Sequence, residues 1–272
     1  MQIGIIAGAG DLPEIIAKDA KERGYKVITI ALENLASSVL NDLSDEIQWI
    51  NVGKLGAIIN ALKASGVREA IMAGKVPKAL LYKSKVTPDL RAIKLLFSLK
   101  DKSDDSILNA LAEELAKEGI TIINTASFSP HLPTPAGVLT KEPPSQDEWA
   151  DIKFGWKIAK AIGEMDIGQA VVVKGQAVMA VEAIEGTDEA IRRGGKWSGD
   201  GAVVVKVSKP QQDMRLDVPV IGPATLQAMI DIRARVLAIE AQKSIIIHRD
   251  KLIKEAEKSG ISIVGLSAQK TK

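Results

Sequence analysis

The first half of the chain alternates short apolar, β-branched runs with segments of helical periodicity. The apolar runs lie at residues 3–8, 26–32, 69–74 and 120–125, and the helical segments lie at 13–23, 55–64, 89–99 and 104–117. Strands and helices that alternate in this way are typical of βαβ units, whose strands form a parallel sheet. We therefore predict an α/β fold with a Rossmann-like parallel-sheet domain over residues 1–130.

The second half has a different pattern, which predicts a mixed α/β domain over residues 150–272. Residues 169–184 resemble two strands around a turn at 174–176, residues 201–208 resemble a third strand, and helices are predicted over 224–242 and 249–259. Short apolar runs at 244–248 and 261–266 flank the last of these helices. Residues 131–149 contain four prolines and no sustained period, which is typical of a linker between domains.

Composition excludes several classes of function. Lys and Arg total 36 against 34 Asp and Glu, so the chain lacks the basic excess of a nucleic-acid-binding protein. It contains no Cys and only two His, His131 and His248, which leaves carboxylates as the expected ligands of any metal. We find neither a secretory pattern nor an apolar run of membrane length, and we expect a cytoplasmic protein.

The loop after the first predicted strand, Gly8-Ala9-Gly10-Asp11-Leu12-Pro13, is a candidate phosphate-binding site. Its glycines permit a close approach of the backbone, and amides at the start of a helix bind anions. Glu33, near the end of the second strand, lies where a dinucleotide fold places its ribose-binding acid. Alternatively, Asp11 only caps the helix and the glycines only form the turn.

Two further segments of the first half carry candidate residues. Lys75 follows the strand that ends near Ala73, so it is either a ligand for a phosphate at the sheet edge or a solvated loop lysine. Asp101, Asp104 and Asp105 precede or begin a predicted helix. They are most simply helix-capping or first-turn acids, and a role in binding magnesium is the alternative.

In the second half, Thr187 and Asp188 lie where a strand leads into a short helix. Thr187 lacks the Glu or Gln of a capping box, so its hydroxyl either caps the helix or meets a ligand. Arg192 and Arg193, near the predicted end of the same helix, complement its dipole or contact phosphate. The sequence leaves both pairs of alternatives open.

Asp217 stands in the segment Arg-Leu-Asp-Val-Pro at residues 215–219. Pro219 favours an extended backbone before it, and the next helix begins near Gly222, too late for Asp217 to cap it. Two interpretations remain: a surface ion pair with Arg215, or a carboxylate presented at a functional site.

Six segments in this order resemble the LpxI family, the UDP-2,3-diacylglucosamine pyrophosphatases of lipid A biosynthesis. They are IGIIAGAGDLP, MAGKVP, KSDDSIL, DIGQAVVV, EAIEGTDEAIRR and RLDVPVIGPAT, followed by a closing IVGL, and they span nearly the whole chain. The resemblance implies two domains with substrate held between them. It also implies hydrolysis to UMP and 2,3-diacylglucosamine 1-phosphate (lipid X), with Mg²⁺ or Mn²⁺ as cofactor.

The resemblance also assigns roles to residues. It makes Asp217 the essential acid, and we expect Asp217 and Asp105 to be metal ligands. The expected substrate-binding residues are Gly8, Ala9, Gly10, Asp11, Leu12, Lys75, Asp104, Thr187, Asp188 and Thr225. Two departures leave nucleotide selectivity open: the first loop has Gly-Ala-Gly where three glycines are expected, and Lys75 replaces an uncharged residue.

Two alternatives come from other classes of function. Gly8, Gly10 and Glu33 also suit a dinucleotide-dependent oxidoreductase, although Pro13 occupies the position of the third fingerprint glycine. The other alternative is a noncatalytic protein that binds a nucleotide sugar. For the diphosphatase we expect transient contact with the inner membrane surface and no nucleic-acid partner. The sequence leaves the oligomeric state open, with a homodimer as one option.

Overall fold

The protein is described from a computed structural model, over residues 1–77, 86–101 and 103–267, with the side chain of Asp104 outside the description. The chain divides into two compact units. The first comprises Met1–Pro130 together with Asp213–Asp217, and the second comprises His131–Gln212 and Val218–Lys272. The chain thus returns to the first unit for five residues after the second has begun.

The described residues of the first unit include a parallel sheet. Its strands, in the spatial order β3-β2-β1-β4-β5, are β1 Gln2–Ala7, β2 Lys26–Leu32, β3 Glu46–Ile50, β4 Glu69–Ala73 and β5 Thr121–Ile122. This order is that of Rossmann-like folds, so the predicted fold class is confirmed. We did not predict β3, because this edge strand is largely exposed and its sequence, EIQWI, is only partly apolar.

The helices of this unit pack against the sheet through apolar faces. They are α1 Leu12–Glu22, α2 Leu40–Leu43, α3 Leu55–Ala64, α4 Leu90–Ser98, α5 Asp104–Lys117 and α6 Thr125–Phe128. In α1, Leu12, Ile16 and Ala20 are buried at the spacing of one helix face, and Pro13 lies in the first turn as predicted. α5 begins after Ser103, whose hydroxyl accepts a hydrogen bond from the amide of Ser106.

The second unit contains a six-stranded sheet in the order β6-β13-β11-β9-β7-β8 and a separate pair, β10 and β12. The strands are β6 Gly137–Val138, β7 Ala170–Lys174, β8 Ala177–Val181, β9 Val203–Lys206, β10 Val220–Ile221, β11 Val236–Glu240, β12 Ile245–Ile246 and β13 Ser262–Leu266. β9, β11 and β13 are parallel, and β7 runs antiparallel to β8 and β9. The predicted turn between β7 and β8 is present, with positive φ at Gly175 and Gln176.

The helices of this unit cover both faces of its large sheet. They are α7 Gln146–Glu164, α8 Thr187–Ser198, α9 Pro223–Asp231 and α10 Arg249–Lys258. Along β9, Val203 and Val205 pack in a cluster with α7, and Val204 packs in another with residues of α8, α9 and α10. This alternation fixes which face each residue of β9 presents.

The predicted helix over 224–242 is wrong in its second part. α9 ends at Asp231, Arg233 adopts a positive φ, and Val236–Glu240 form β11 between β9 and β13. All five residues of β11 are buried, because a central strand is covered on both faces. An apolar run of this kind lacks strand alternation, which is why its periodicity did not separate it from a helix.

The segment 131–149, expected as a linker, lies within the second unit. Its β6 pairs antiparallel with β13, and α7 begins within it. A capping box marks that start, since Ser145 accepts from the amide of Glu148 and the Glu148 carboxylate accepts from the amide of Ser145. The sequence S-x-x-E was the signal for this helix, which we did not predict.

No helix among the described residues combines the length and the apolar character needed to cross a membrane.

Candidate active site

The glycine loop and the end of β4 meet at the centre of the first sheet. β1 and β4 are neighbours at the point where the strand order reverses, and ligands of open α/β sheets bind beyond the carboxyl ends of strands at such a point. The amide of Gly8 donates to Ala73 O, and Ala9 and Lys75 exchange two backbone hydrogen bonds of 2.8 and 2.9 Å. The glycine loop and the segment after β4 are therefore joined through their backbones.

Two glycines make this close approach possible. A Cβ at Gly8 would lie 2.8 Å from Lys75 O, and a Cβ at Gly74 would lie 2.8 Å from Ala9 O. Gly74 also has a φ of +89°, which L-residues with side chains rarely adopt. The glycines thus serve contact between the loops, which is a structural use that the motif alone did not distinguish from phosphate binding.

We predict that Gly74→Val destabilises the protein by about 3 kcal/mol, because backbone strain and overpacking each cost about 1–3 kcal/mol. Denaturant unfolding measures this loss. Gly24→Val is the matched control, since Gly24 has a φ of +75° but open space around its built Cβ. Equal losses in the two variants would contradict the proposed contact between the loops.

Only part of the loop can bind a phosphate through its amides. Those of Gly8 and Ala9 are used in the contact with β4, whereas those of Gly10 and Leu12 have no acceptor in the described ranges. They lie at the positive end of the α1 dipole, where an anion is stabilised. The Leu12 side chain is buried in the core, so only its backbone can serve a ligand.

Asp11 does not act as the side-chain cap of α1, which was the alternative to phosphate binding by its loop. It precedes α1 with helical backbone angles, and its side chain makes no capping hydrogen bond. The interpretation of Asp11 as a helix cap is therefore wrong. A capping side chain normally requires an extended backbone at this position.

Lys75 is exposed and is held beside the glycine loop by its backbone. The cap of α5 is Ser103, so Asp105 is a half-buried first-turn acid. The prediction for the Asp104 side chain lies outside the described residues. Because α5 leads directly into β5, its amino end lies toward the carboxyl edge of the sheet. The Ser103 hydroxyl lowers the pKa of Asp101 to about 2, so that carboxylate is ionised at neutral pH.

Asp217 is held in the first unit by its neighbour. Leu216 is 8% exposed and packs in the apolar core with residues of β2, α3 and α5. The amides of Leu216 and Asp217 both donate to Asp213 O, which closes a tight turn. Asp217 itself is half-buried and directly follows this anchored residue.

Arg215 forms a bidentate ion pair with Asp213 within the same turn. Its Nε and Nη2 donate to the two oxygens of Asp213 at 3.0 and 2.6 Å, and hydrogen bonding from Arg215 holds the pKa of Asp213 below its ordinary value. The side chain that we considered as the ion-pair partner of Asp217 is thus a bidentate partner of Asp213. Sequence reasoning missed the roles of Asp213 and Leu216. The only signal was that Leu216 is an apolar residue between two charged ones, Arg215 and Asp217.

Three predicted substrate-binding residues lie in the second unit, near the starts of two helices. Asp188 in α8 and Thr225 in α9 are joined by a 2.7 Å hydrogen bond from the Thr225 hydroxyl. Thr187 is buried, and its hydroxyl donates to Glu182 at 2.8 Å, so it supports the loop before α8. The structure therefore brings Asp188 and Thr225 together.

The two arginines of α8 make structural ion pairs. Arg192 pairs with Glu189 and approaches Asp231, whereas Arg193 donates to Glu185 and to Val181 O. These contacts favour a structural role for both arginines over a role in phosphate binding.

The residues that could hold a divalent cation are hard oxygen donors. No group of three His, Asp or Glu suited to a metal occurs in the part of the chain that the structure describes. Magnesium, however, is commonly held by one or two carboxylates together with substrate phosphates and water. The carboxylates of Asp217 and Asp105 are of the chemical type that fits such a site.

Fold and loop together define a class: a two-unit α/β protein with a Rossmann-like first unit, whose glycine loop lies where the strand order of the sheet reverses. A family model described as the LpxI N-terminal domain matches residues 2–132, and one described as the LpxI C-terminal domain matches residues 135–264. The chain belongs to the LpxI family.

The chain is also similar to one curated relative and to two solved structures. The UDP-2,3-diacylglucosamine pyrophosphatase LpxI of Caulobacter vibrioides is 32% identical over 279 residues, covering 98% of each chain. Phosphoribosylglycinamide synthetase from Anaerococcus prevotii is 16% identical over 63% of this chain and 31% of its own, with a TM-score of 0.25. The biotin carboxylase subunit of pyruvate carboxylase is 15% identical over 68% of this chain and 38% of its own, with a TM-score of 0.29. This chain spans about a third of those two proteins, and such low scores carry no inference.

Proposed function

We propose that the chain hydrolyses the diphosphate of UDP-2,3-diacylglucosamine to UMP and 2,3-diacylglucosamine 1-phosphate (lipid X). The family and the name of the Caulobacter relative support the reaction. The structural observation that carries the proposal is that Asp217 belongs to the same compact unit as the glycine loop. The proposed catalytic acid thereby belongs to the unit that contains the candidate phosphate-binding loop.

In hydrolysis, water attacks one phosphorus of the diphosphate, the bond from that phosphorus to the bridging oxygen breaks, and the other phosphate leaves, while the anionic oxygens are stabilised. In our proposal Asp217 accepts the proton of that water, and the amides of Gly10 and Leu12 donate to a phosphate oxygen. Asp217 and Asp105 would hold a Mg²⁺ or Mn²⁺ ion, and Lys75 would meet the nucleotide half. When bound, the ion supplies neutralisation of charge on the diphosphate.

The direct test is incubation with UDP-2,3-diacylglucosamine and Mg²⁺ or Mn²⁺, followed by mass spectrometry of the products. We expect UMP and the sugar 1-phosphate. Saturable binding of NAD or NADP without hydrolysis would instead favour the oxidoreductase. Binding of UDP-sugars without turnover under any metal would favour the noncatalytic alternative.

We further propose that the protein works at the inner membrane surface, on its cytoplasmic side. The proposed substrate carries two acyl chains, and such chains partition into a bilayer at about 0.8 kcal/mol per buried methylene. A peripheral and transient contact therefore suffices for access to the substrate. Co-sedimentation of the protein with vesicles that contain the substrate tests this proposal.

The anchoring of Asp217 by Leu216 gives a further prediction. Leu216→Ala should cost about 2–5 kcal/mol of stability, as for other buried leucines, and should lower the rate per folded molecule about tenfold or more. The reason for the second effect is that the turn carrying Asp217 loses its apolar anchor. Chemical denaturation and steady-state kinetics measure the two quantities.

Leu62→Ala is the matched control for this variant. Leu62 is fully buried in the same apolar cluster, but it lies in α3, far along the chain from the turn. It should lose comparable stability and keep the rate of each folded molecule. Equal effects of the two substitutions on that rate would contradict an anchoring role for Leu216.

A further inference from the structure

Among the described residues of the second unit, the buried charged side chains other than Lys206 are compensated by an opposite charge or by several hydrogen bonds. Asp151 accepts from the amides of Gly175 and Gln176, Glu182 accepts from Thr187 and Gln169, Glu240 binds Lys160 and Ser208, and Lys209 pairs with Asp166. Each of these charges meets an opposite charge or at least two hydrogen bonds. Lys206 is the exception.

Lys206 is 7% exposed, and its Nζ donates to Val220 O at 3.0 Å. It has no carboxylate partner within the described ranges of the chain. An ammonium group has three donors, and burying a charge without an opposite charge or a full set of hydrogen bonds is costly. The remaining donors of Lys206 are therefore suited to an anion that binds from outside.

The position of Lys206 in the fold also favours a ligand. It is the last residue of β9, so it lies at the carboxyl edge of the parallel strands, where ligands of α/β sheets collect. Its side chain follows Val204 by two residues and shares the face that α8 and α9 cover. Val220, which accepts from Lys206, lies two residues before Gly222, the N-cap of α9.

The amino end of α9 offers the second part of an anion site. Its cap is a glycine without a capping side chain, and the space beside that glycine is open. The amide of Ala224 has no acceptor in the residues that the structure describes. Unpaired amides at a helix amino end, together with the helix dipole, stabilise a bound phosphate.

We propose that Lys206 and the amino end of α9 form a phosphate-binding site of the second unit. The Lys206 ammonium contacts the phosphate directly, and the amide of Ala224 donates to it. A phosphate bound there compensates the buried charge of Lys206.

The ligand class follows from the groups around the site. Thr225, two residues after Pro223, holds the carboxylate of Asp188, and a carboxylate accepts hydrogen bonds from sugar hydroxyls. Because Thr225 lies in the first turn of α9, the Asp188 carboxylate belongs to the same helix end, and a phosphate group together with sugar hydroxyls suits these two elements. The assignment of this phosphate to that of lipid X rests on the proposed function, whereas the site itself does not.

Thermal melting of the full chain in inorganic phosphate tests the site, with sodium chloride at matched ionic strength as reference. At about ten times the dissociation constant, phosphate should raise the wild-type Tm by roughly 3–5 °C relative to chloride. Lys206→Met should abolish that rise. Without phosphate, the variant should melt at or above the wild-type Tm, because an uncompensated buried charge has been removed.

Lys209→Met is the matched control, because Lys209 is equally buried but paired with Asp166. This variant should melt lower than wild type and still respond to phosphate. Lys206→Arg, which keeps the charge, should retain part of the response. A full phosphate response in Lys206→Met would overturn the proposal, and so would a lower Tm of that variant in chloride together with an unchanged response.

Binding of lipid X, measured beside hydrolysis, tests the phosphate site and the proposed function independently. We expect lipid X to bind Lys206→Met at least tenfold more weakly than wild type. If the wild type hydrolyses UDP-2,3-diacylglucosamine but shows no Lys206-dependent response to phosphate, the function stands and the site is wrong. If the response is present without hydrolysis, the site stands and the proposed function is wrong.

Discussion

Replacing Asp217 by Asn is expected to lower kcat/KM for UDP-2,3-diacylglucosamine by roughly a hundredfold to ten-thousandfold, the usual range for a lost general base. Asn keeps the size of the side chain and removes its charge. The stability of the fold should change little, because Leu216, and not the half-buried Asp217, fills the apolar core. Steady-state kinetics and thermal melting beside wild type measure both effects.

Asp213→Asn is the matched control, because it removes a carboxylate from the same turn. Asp213 is the partner of Arg215, and its backbone carbonyl, which the substitution leaves in place, closes the turn. This variant should lose at most about 1 kcal/mol from the ion pair and keep activity within a few-fold of wild type. Comparing the two variants shows whether activity depends on the charge of Asp217 itself or on the total charge of the turn.

Two results would contradict the role of Asp217. One is turnover by folded Asp217→Asn protein within a few-fold of wild type. The other is an equal loss of activity in Asp213→Asn, which would assign the effect to the integrity of the turn. In either case the essential proton acceptor would have to be sought elsewhere in the unit.

The fold was predictable where local pattern and burial agree. The strands and helices of the first unit alternate along the sequence, and a parallel sheet follows from that alternation. The pattern failed at β11, whose residues are buried on both faces, and at β3, whose residues are mostly exposed. In both strands the neighbours in the sheet, and not the local sequence, decide the burial of each residue.

The candidate site was predictable only in part. Asp217 stood out because no helix near it needs a cap, and that observation required only local rules. Its attachment to the first unit depends on Leu216, whose burial arises from residues more than ninety positions away in the chain. Long-range packing of this kind leaves no periodic signal in a short segment.

The glycine loop illustrates a second limit. Gly8 and Gly10 suggested an approach of phosphate to the backbone, whereas the close approach at Gly8 is to the backbone of Lys75. A glycine motif predicts that another group approaches the backbone closely. Which group approaches depends on which strands are neighbours in the sheet. The amides of Gly10 and Leu12, which follow Gly8 by two and four residues, retain the capacity to bind an anion.

The dinucleotide alternative is weakened by the same geometry. Glu33 is exposed just beyond β2, the neighbour of β1, where a ribose-binding acid would be expected. Of the loop glycines, however, Gly8 is occupied by its contact with the end of β4, and the position of the third glycine is Pro13 in α1. Family membership over nearly the whole chain therefore has more weight than Glu33 alone.

Removal of divalent cations with EDTA is expected to abolish hydrolysis, and Mg²⁺ or Mn²⁺ should restore it. The diphosphate is strongly anionic, and without a cation the approach of a nucleophile to phosphorus is opposed by that charge. Because no cluster of three acidic or His ligands occurs in the described residues, we expect the cation to bind tightly only with the substrate phosphates present. Calorimetric titration of Mn²⁺, with and without UMP, measures this dependence.

Two variants make the metal prediction specific. Asp105→Asn should raise the Mg²⁺ concentration needed for half-maximal rate, and Asp217→Asn should stay inactive at any Mg²⁺ concentration. Thiol reagents should have no effect, since the chain contains no Cys. Full turnover in EDTA would rule out the carboxylate and metal mechanism. Tight Mn²⁺ binding without any phosphate ligand would instead require a protein-only metal site, in conflict with the small number of carboxylates that we assign to it.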